Sequence, residues 1–204
     1  MSKIWSVFFF VGIVLCVAGA TSSSAQETKL PEVQPQDRIL GKADAPITIF
    51  EYASLDCPHC ADFDQNTLPK LKAEWIDTGK ARLVFRDFPL YEDAVRAAML
   101  ARCAPPEQFF PFVDALFQSQ TVWATAQNVD GELAKLARLS GMSDDKFKAC
   151  MSDSALENQV RASRLLGEQY GVKSTPTFFI NGTKVEGSLP ISSFEKVLSQ
   201  AAKS

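Results

Sequence analysis

The chain has 204 residues, enough for one domain or for one domain that carries a large insertion. Hydrophobic residues make up 46% of it and charged residues 22%, which is ordinary for a globular protein, and 15 phenylalanines are enough to fill a core. The net charge of −3 gives no excess of basic residues, so the composition argues against nucleic acid as a partner.

Residues 1–25 are predicted to be a secretory signal peptide. Lys3 provides a positive start, residues 4–20 form an apolar run, and small residues follow up to Ala25. We expect cleavage after Ala25, with cleavage after Ala20 as the second choice. The alternative is an uncleaved membrane anchor, since about 17 apolar residues approach the length that spans a bilayer. Removal of the peptide leaves four cysteines, an even number that suits an oxidising compartment.

A strand and then a pair of cysteines follow an extended lead-in, residues 26–40, which contains prolines and several charges. Residues 47–52 are rich in β-branched and aromatic side chains and are predicted to form a buried strand. The sequence Cys57-Pro58-His59-Cys60 comes next, and apolar residues at helical spacing predict a helix over residues 61–74.

The spacing of Cys57 and Cys60 predicts redox chemistry. Two thiols separated by two residues can close and open a disulfide with little movement of the backbone. A helix N-terminus favours an anion, so we expect a lowered pKa for Cys57, and the thiolate is the reactive form. The alternative is a static surface disulfide. Haem attachment needs a histidine where Ala61 stands, and the other cysteines are too scattered for a zinc site, so neither metal nor cofactor is expected.

The rest of the chain is predicted to be a second strand, a helical block and a hairpin. Residues 81–85 form the strand, and residues 177–186 form a hairpin around an Asn-Gly turn, followed by a helix over 190–202. Between them, N-cap-like starts and helical periodicity predict five helices. These helices are expected over residues 93–104, 107–119, 131–139, 144–151 and 156–170.

This order of elements is that of a thioredoxin-like core with a helical domain inserted in its middle, an α/β fold. The expected boundaries are residues 41–90 for the first part of the core, 91–170 for the insertion and 171–204 for the second part.

The chain resembles the DsbA family of secreted thiol-disulfide oxidoreductases, and in particular α-proteobacterial members. The resemblance covers essentially the whole mature chain, and it implies a soluble, monomeric, periplasmic protein with a central mixed sheet. The length of the helical insertion contributes to the resemblance. The matching stretches are residues 46–52 leading into Cys57-Pro58-His59-Cys60, the sequence Phe-Arg-Asp-Phe-Pro-Leu at 85–90, and residues 174–182.

The resemblance implies roles for the residues of the motif. Pro58-His59 is the dipeptide typical of the oxidases. Cys57 should be the exposed sulfur that substrate attacks, and Cys60 the buried partner that leaves. His59 should lower the pKa of Cys57 by a hydrogen bond or by its charge, the alternative being a solvent-exposed loop histidine.

Three more positions complete the predicted site. Thr175-Pro176 should form a cis peptide beside the motif, where many oxidases have Val before the proline; the alternative is a trans proline that opens a strand. Glu51 should be a buried acid that assists proton transfer at Cys60, with Lys80 as its candidate partner. The alternative for both is an ordinary structural ion pair.

Cys103 and Cys150 are expected to form a second disulfide, as in some α-proteobacterial relatives. A structural role is the simpler interpretation, and tuning of the active-site pair is the other.

Three hypotheses for function follow. The first is an oxidase that donates its Cys57–Cys60 disulfide to reduced exported proteins and is reoxidised by a DsbB-type membrane partner. The second is a disulfide isomerase or reductase kept reduced by a membrane electron donor; only about 20 residues precede the core, too few for the dimerisation module of such isomerases. The third is a non-catalytic binding module, which the intact motif argues against.

Overall fold

The structure is a computed structural model that describes Met1 and residues 30–203. The predicted signal peptide after Met1, both cleavage positions and the alternative anchor lie outside the described residues. Within the described part, no helix is both long enough and apolar enough to cross a membrane.

A five-stranded mixed sheet forms the centre of the described fold, in the order β1-β3-β2-β4-β5. β2 and β3 are parallel, and the other three neighbouring pairs are antiparallel. β2 and β3 are covered on both faces, which explains why they appear in the sequence as nearly continuous apolar runs. The strands are β1 (Arg38–Leu40), β2 (Ile47–Ala53), β3 (Ala81–Asp87), β4 (Thr177–Ile180) and β5 (Thr183–Glu186).

The helix after the cysteine motif, here called the motif helix, runs continuously over residues 58–76. It alternates α1 (Pro58–Asp62) and α2 (Leu68–Leu71) with two π-helical turns, Phe63–Thr67 and Lys72–Ile76. Pro69 has no N–H to donate back along the helix, which is one physical reason for the wider turn before it. The helix is longer at both ends than the sequence pattern predicted.

Six helices lie between β3 and β4, and one follows β5. N-cap-like starts at residues 143–145 and 152–154 contribute to the prediction of two of these helices, and Ser143 and Asp153 are the N-caps, since each side chain accepts a backbone N–H of its helix. A four-residue helix over residues 120–123 was not predicted. The helices are α3 (Glu92–Cys103), α4 (Phe109–Gln118), α5 (Gln120–Trp123), α6 (Val129–Leu139), α7 (Asp144–Met151), α8 (Ser154–Gln169) and α9 (Ile191–Ala201). A short 3₁₀ turn, Pro106–Gln108, precedes α4.

A tight turn and a disulfide connect elements of the fold. The Asn181-Gly182 turn between β4 and β5 has positive φ at both residues (42° and 92°), as the predicted hairpin requires. Cys103 at the end of α3 and Cys150 in α7 are joined by a disulfide with Cα atoms 6.2 Å apart.

The core positions the motif helix against the sheet. Phe63 of that helix packs on Phe178 of β4 and Phe194 of α9, with ring centroids 4.6 and 5.3 Å away. The two motif cysteines belong to a second apolar cluster shared with α3, α4 and α6. The motif therefore lies where the sheet, the motif helix and the helical block meet.

Candidate active site

The motif places two free thiols at the start of a helix. Cys57 is the N-cap residue in an extended conformation, Pro58 occupies the first turn, and Cys60 follows one turn later. Cys60 is fully buried, as expected. Cys57 was expected to be exposed, but only 6% of its surface is accessible, because it packs in the apolar cluster and against Thr175.

The surroundings of Cys57 favour its thiolate. A hydrogen bond from the Cys60 thiol lowers the pKa of Cys57, and although burial opposes this, backbone N–H groups of the first helical turn help to bring it to about 5. His59 contributes one of those N–H groups, while its side chain is exposed. Because a pKa of about 5 lies below neutral pH, Cys57 is mainly ionised there.

Cys60 and Glu51 have the opposite character. Burial raises the pKa of Cys60 well above its usual value, with further contributions from the neighbouring Cys57 and from Glu51. Glu51 is 2% exposed in the middle of the sheet, and burial, followed by the charge of Asp64, raises its pKa well above the usual range. Near neutral pH a protonated Cys60 thus lies beneath an ionised Cys57.

The suggested pairing of Glu51 with Lys80 is wrong. Lys80 donates to the backbone carbonyl of Glu74 and lies over the Trp75 ring. The parallel register explains the separation. Lys80 precedes the first residue of β3, whereas Glu51 pairs with Phe85, five residues (about 17 Å) beyond Lys80 along the strand.

The Thr175-Pro176 peptide bond is cis and lies against the motif. In its thiol form Cys57 donates a hydrogen bond from Sγ to the Thr175 carbonyl, at 3.3 Å. The Thr175 Oγ1 is buried and has no hydrogen-bond partner within the described residues. The chain thus brings a backbone acceptor and an unused hydroxyl to the reactive sulfur.

Comparison with known protein families matches residues 33–200 to the family described as Thioredoxin. This match covers nearly all the described residues, including every residue of the candidate site. The chain belongs to the thioredoxin family.

Individual relatives place this thioredoxin-family chain among DsbA-like proteins. The crystal structure of α-DsbA1 from Wolbachia pipientis superposes with a TM-score of 0.79 at 34% identity, covering 84% of this chain and 93% of that one. A Rickettsia prowazekii protein, named as a candidate protein-disulfide oxidoreductase, is 31% identical over 79% of this chain and 64% of its own length. Disulfide bond formation protein D of Bacillus subtilis is 28% identical over 74% of this chain and 70% of its own length.

The predicted α/β thioredoxin-like fold and the resemblance to DsbA-like thiol-disulfide oxidoreductases are therefore confirmed. The five rickettsial relatives are longer, and this chain spans 56 to 67% of their lengths.

Sequence reasoning missed a residue that holds the active-site loop. Gln120 of α5 is buried, and its Nε2 donates to the carbonyls of Leu55 (2.7 Å) and Cys57 (3.1 Å). The same Cys57 carbonyl accepts the first backbone bond of the motif helix, from Cys60 at 3.0 Å. A lone glutamine in a helical block carries no sequence signal for this role, because its partners are 63 and 65 residues away.

The Phe-Arg-Asp-Phe-Pro-Leu stretch at 85–90 supplies two buried ion pairs. Arg86 bonds Asp37 of the lead-in at 2.8 Å and the Tyr52 hydroxyl at 2.7 Å. Asp87 pairs with Arg102 of α3. The stretch thereby attaches both the lead-in and the helical block to the central sheet, which is a structural reason for its composition.

No group of three or more His, Cys, Asp and Glu side chains within the described residues is arranged to hold a metal ion. The chemistry that the site itself supports is thiol-disulfide exchange, with an ionised Cys57 and a protonated Cys60.

Proposed function

We propose that this protein is a periplasmic protein-disulfide oxidase that donates its Cys57–Cys60 disulfide to reduced exported proteins. The observation that carries the proposal is the contrast between the two thiols, a pKa of about 5 at Cys57 and a raised pKa at Cys60. A stable Cys57 thiolate favours the reduced pair, so the oxidised pair gives up its disulfide readily.

The exchange proceeds in two steps. A substrate thiolate attacks Cys57 Sγ, the Cys57–Cys60 bond breaks, and Cys60 leaves and takes up a proton. The second substrate thiolate then attacks the substrate sulfur of the mixed disulfide, and Cys57 leaves as a thiolate. Two electrons pass from the substrate thiols to the protein, one proton remains on Cys60, and the other goes to solvent.

Other residues of the site have supporting roles in this proposal. Glu51 exchanges the proton of Cys60, and Gln120 holds the backbone at Cys57. The backbone around Thr175-Pro176 pairs with an extended substrate segment, because an extended segment next to the sulfur can accept a β-strand partner. Residues 91–170 act as a helical domain inserted into the core and cover the buried side of the motif. His59 tunes Cys57.

A DsbB-type membrane protein would reoxidise the pair, and the protein would act as a monomer without a cofactor. Both statements come from the resemblance to DsbA-like proteins, as does export through the predicted signal peptide.

The reduction potential of Cys57–Cys60 tests the proposal. We would purify the exported protein, equilibrate it in glutathione buffers, trap the free thiols and separate this pair from Cys103–Cys150 by mass spectrometry. A potential near the DsbA value of about −120 mV is expected, together with oxidation of a reduced peptide that a Cys57→Ala variant does not perform. A potential near the thioredoxin value of about −270 mV would instead indicate the reductase alternative.

A further inference from the structure

A cavity opens beside the reactive cysteine, on the side of the helical block. Its volume is about 320 Å³, and its walls come from the motif, from the start of α3 and from α5 with the residues that follow it. The two chain neighbours of Cys57 both belong to these walls, so a substrate that reaches Cys57 passes the cavity. We call this cavity the α5 pocket, and its lining includes Asp56, Pro58, Tyr91, Asp93, Gln120 and Thr125.

Gln120 presents an unused acceptor to the α5 pocket. Its side chain is buried, and its Nε2 donates to the carbonyls of Leu55 and Cys57. Among the described residues, no donor bonds its Oε1. The two arms of an amide point apart, so Oε1 is turned away from those carbonyls and towards the pocket that Gln120 lines. A buried polar group without a partner needs an explanation, and a donor from a ligand supplies one.

Two carboxyl groups line the same pocket without a cation. Asp56 accepts a hydrogen bond from Ser54, and no described Lys or Arg is paired with Asp56 or Asp93. The lining itself contains no Lys, Arg or His among the described residues. Burial raises the pKa of Asp56, and the nearby charges of Cys57 and Asp93 add to this. The pocket therefore combines negative charge with hydrogen-bond acceptors.

Tyr91 adds an aromatic rim to the α5 pocket. It is the N-cap residue of α3, makes no side-chain capping bond and leaves 75% of its surface exposed, so it contributes little to the core. Aromatic rings and carboxylates both attract ammonium and guanidinium groups. The groups that line the pocket therefore fit a basic side chain, and they disfavour an acidic one.

We propose that the α5 pocket binds an arginine or lysine side chain of the substrate, next to the substrate cysteine that reacts with Cys57. The proposal rests on the proposed function and names a substrate class for it, reduced exported proteins with a basic residue beside the reactive cysteine. The cation contacts the Asp56 and Asp93 carboxylates, and its N–H groups donate to Gln120 Oε1. Its apolar stem lies along the Tyr91 ring. Arginine is preferred to lysine, because a guanidinium has five N–H donors for these acceptors.

The test compares reduced peptides that differ at one residue beside their cysteine. This residue is arginine, lysine, citrulline or glutamate, and citrulline keeps the shape of arginine without its charge. The rate at which each peptide reduces the oxidised protein is followed at pH 7 by thiol trapping and mass spectrometry. We expect the arginine peptide to react about tenfold faster than the citrulline peptide at low salt, because its contacts are charge-assisted. The ratio should fall in about 0.5 M salt, which screens these charges.

A basic neighbour also makes the thiol of the peptide more acidic, so the arginine-to-citrulline ratio is compared between protein variants, where this effect cancels. Asp93→Asn keeps the shape of the side chain and should lower the ratio to about threefold or less. Glu92→Gln is the matched control. It removes one negative charge from the same helical turn, but Glu92 pairs with Arg161 and does not line the pocket, so the ratio should remain near its unmodified value.

Thr125→Lys tests the pocket without removing an acidic residue. Thr125 is exposed, and a lysine there brings an ammonium group of the protein itself to the pocket, so the ratio should fall as it does in Asp93→Asn. This variant keeps the test valid if Asp93→Asn folds poorly. An unchanged ratio in both variants would overturn the proposal. An equal loss in Glu92→Gln and Asp93→Asn would also overturn it, because the preference would then follow from the net charge of the surface.

Failure of this inference differs from failure of the proposed function. The ratio compares two peptides on the same protein, so it does not depend on the reduction potential that separates an oxidase from a reductase. A strongly oxidising potential without a preference for arginine would overturn the substrate class alone.

Discussion

Replacing Cys60 by alanine should raise the pKa of Cys57 from about 5 to between about 6 and 7. The hydrogen bond from Cys60 is the largest contribution that lowers this pKa, and burial opposes it. A hydrogen bond to a charged group is worth about 1.5–3 kcal/mol. Since one pKa unit corresponds to about 1.4 kcal/mol, losing the bond moves the pKa by about 1 to 2 units.

The assay is thiolate absorbance at 240 nm, followed from pH 3 to 10 in the reduced variants and checked by alkylation rates. The matched variant is Cys60→Ser, which keeps an O–H donor in a side chain of similar size. It should titrate within about half a unit of the unmodified protein, given the similar bond. An alanine variant that titrates at the unmodified value would refute the argument and assign the low pKa to backbone N–H groups alone.

The same pKa fixes how the reduced protein responds to pH. A lowered folded-state pKa stabilises the reduced fold above the unfolded pKa of 9.0, and this stabilisation is lost as the pH falls towards about 5. The pH of 7 lies halfway between these two pKa values, so the stabilisation of the reduced fold there corresponds to about two pKa units, or about 3 kcal/mol. This stabilisation raises the reduction potential of the Cys57–Cys60 pair by about 60 mV, which makes the pair a stronger oxidant. Urea unfolding of the reduced protein at pH 5, 7 and 9 should therefore show stability rising with pH, relative to Cys57→Ala.

Three further changes test the supporting structure by urea unfolding. Cys103→Ala with Cys150→Ala removes a disulfide that spans 47 residues and should cost up to about 4 kcal/mol in the chain-entropy model; a loss below about 1 would contradict a structural role. Gln120→Leu removes the donor to the buried Leu55 carbonyl and one of three donors to the Cys57 carbonyl, and should cost about 1–3 kcal/mol, whereas Gln127→Leu at an exposed position should change stability by less than about 0.5. Gly167→Ala should destabilise by about 1–3 kcal/mol despite its better helix propensity, because the new Cβ would lie 2.9 Å from two aromatic rings; a stabilised variant would show that the rings move aside.

Local patterns in the sequence were sufficient for most of the elements and for the cysteine motif. Alternating and continuous apolar runs predicted β2, β3 and the hairpin, because burial of those side chains is a property of the strand itself. The three residues of β1 were not predicted, since so short a run has no period of its own and depends on pairing with β3. The contact predicted between Glu51 and Lys80 is absent for a related reason, because the register between two strands cannot be deduced from the sequence of either strand.

The site shows the same division. Cys57 and Cys60 could be assigned from spacing alone, since a pair of thiols one helical turn apart has few other uses. Their unequal acidities depend on burial and on hydrogen bonds that only the packed helix creates. Gln120 comes from the helical block, and nothing in its local sequence indicates that it approaches the motif.

The sequence by itself determined the residues of the candidate site, because two thiols at the start of a helix, a strand before them and a Thr-Pro pair later in the chain are all visible as local patterns. The tertiary structure alone decided which groups adjust their chemistry. It brought the Gln120 amide to the Cys57 carbonyl and the Thr175 carbonyl to the Cys57 sulfur. The reason is physical: pKa values follow from burial and from neighbours in space, and chain folding sets both.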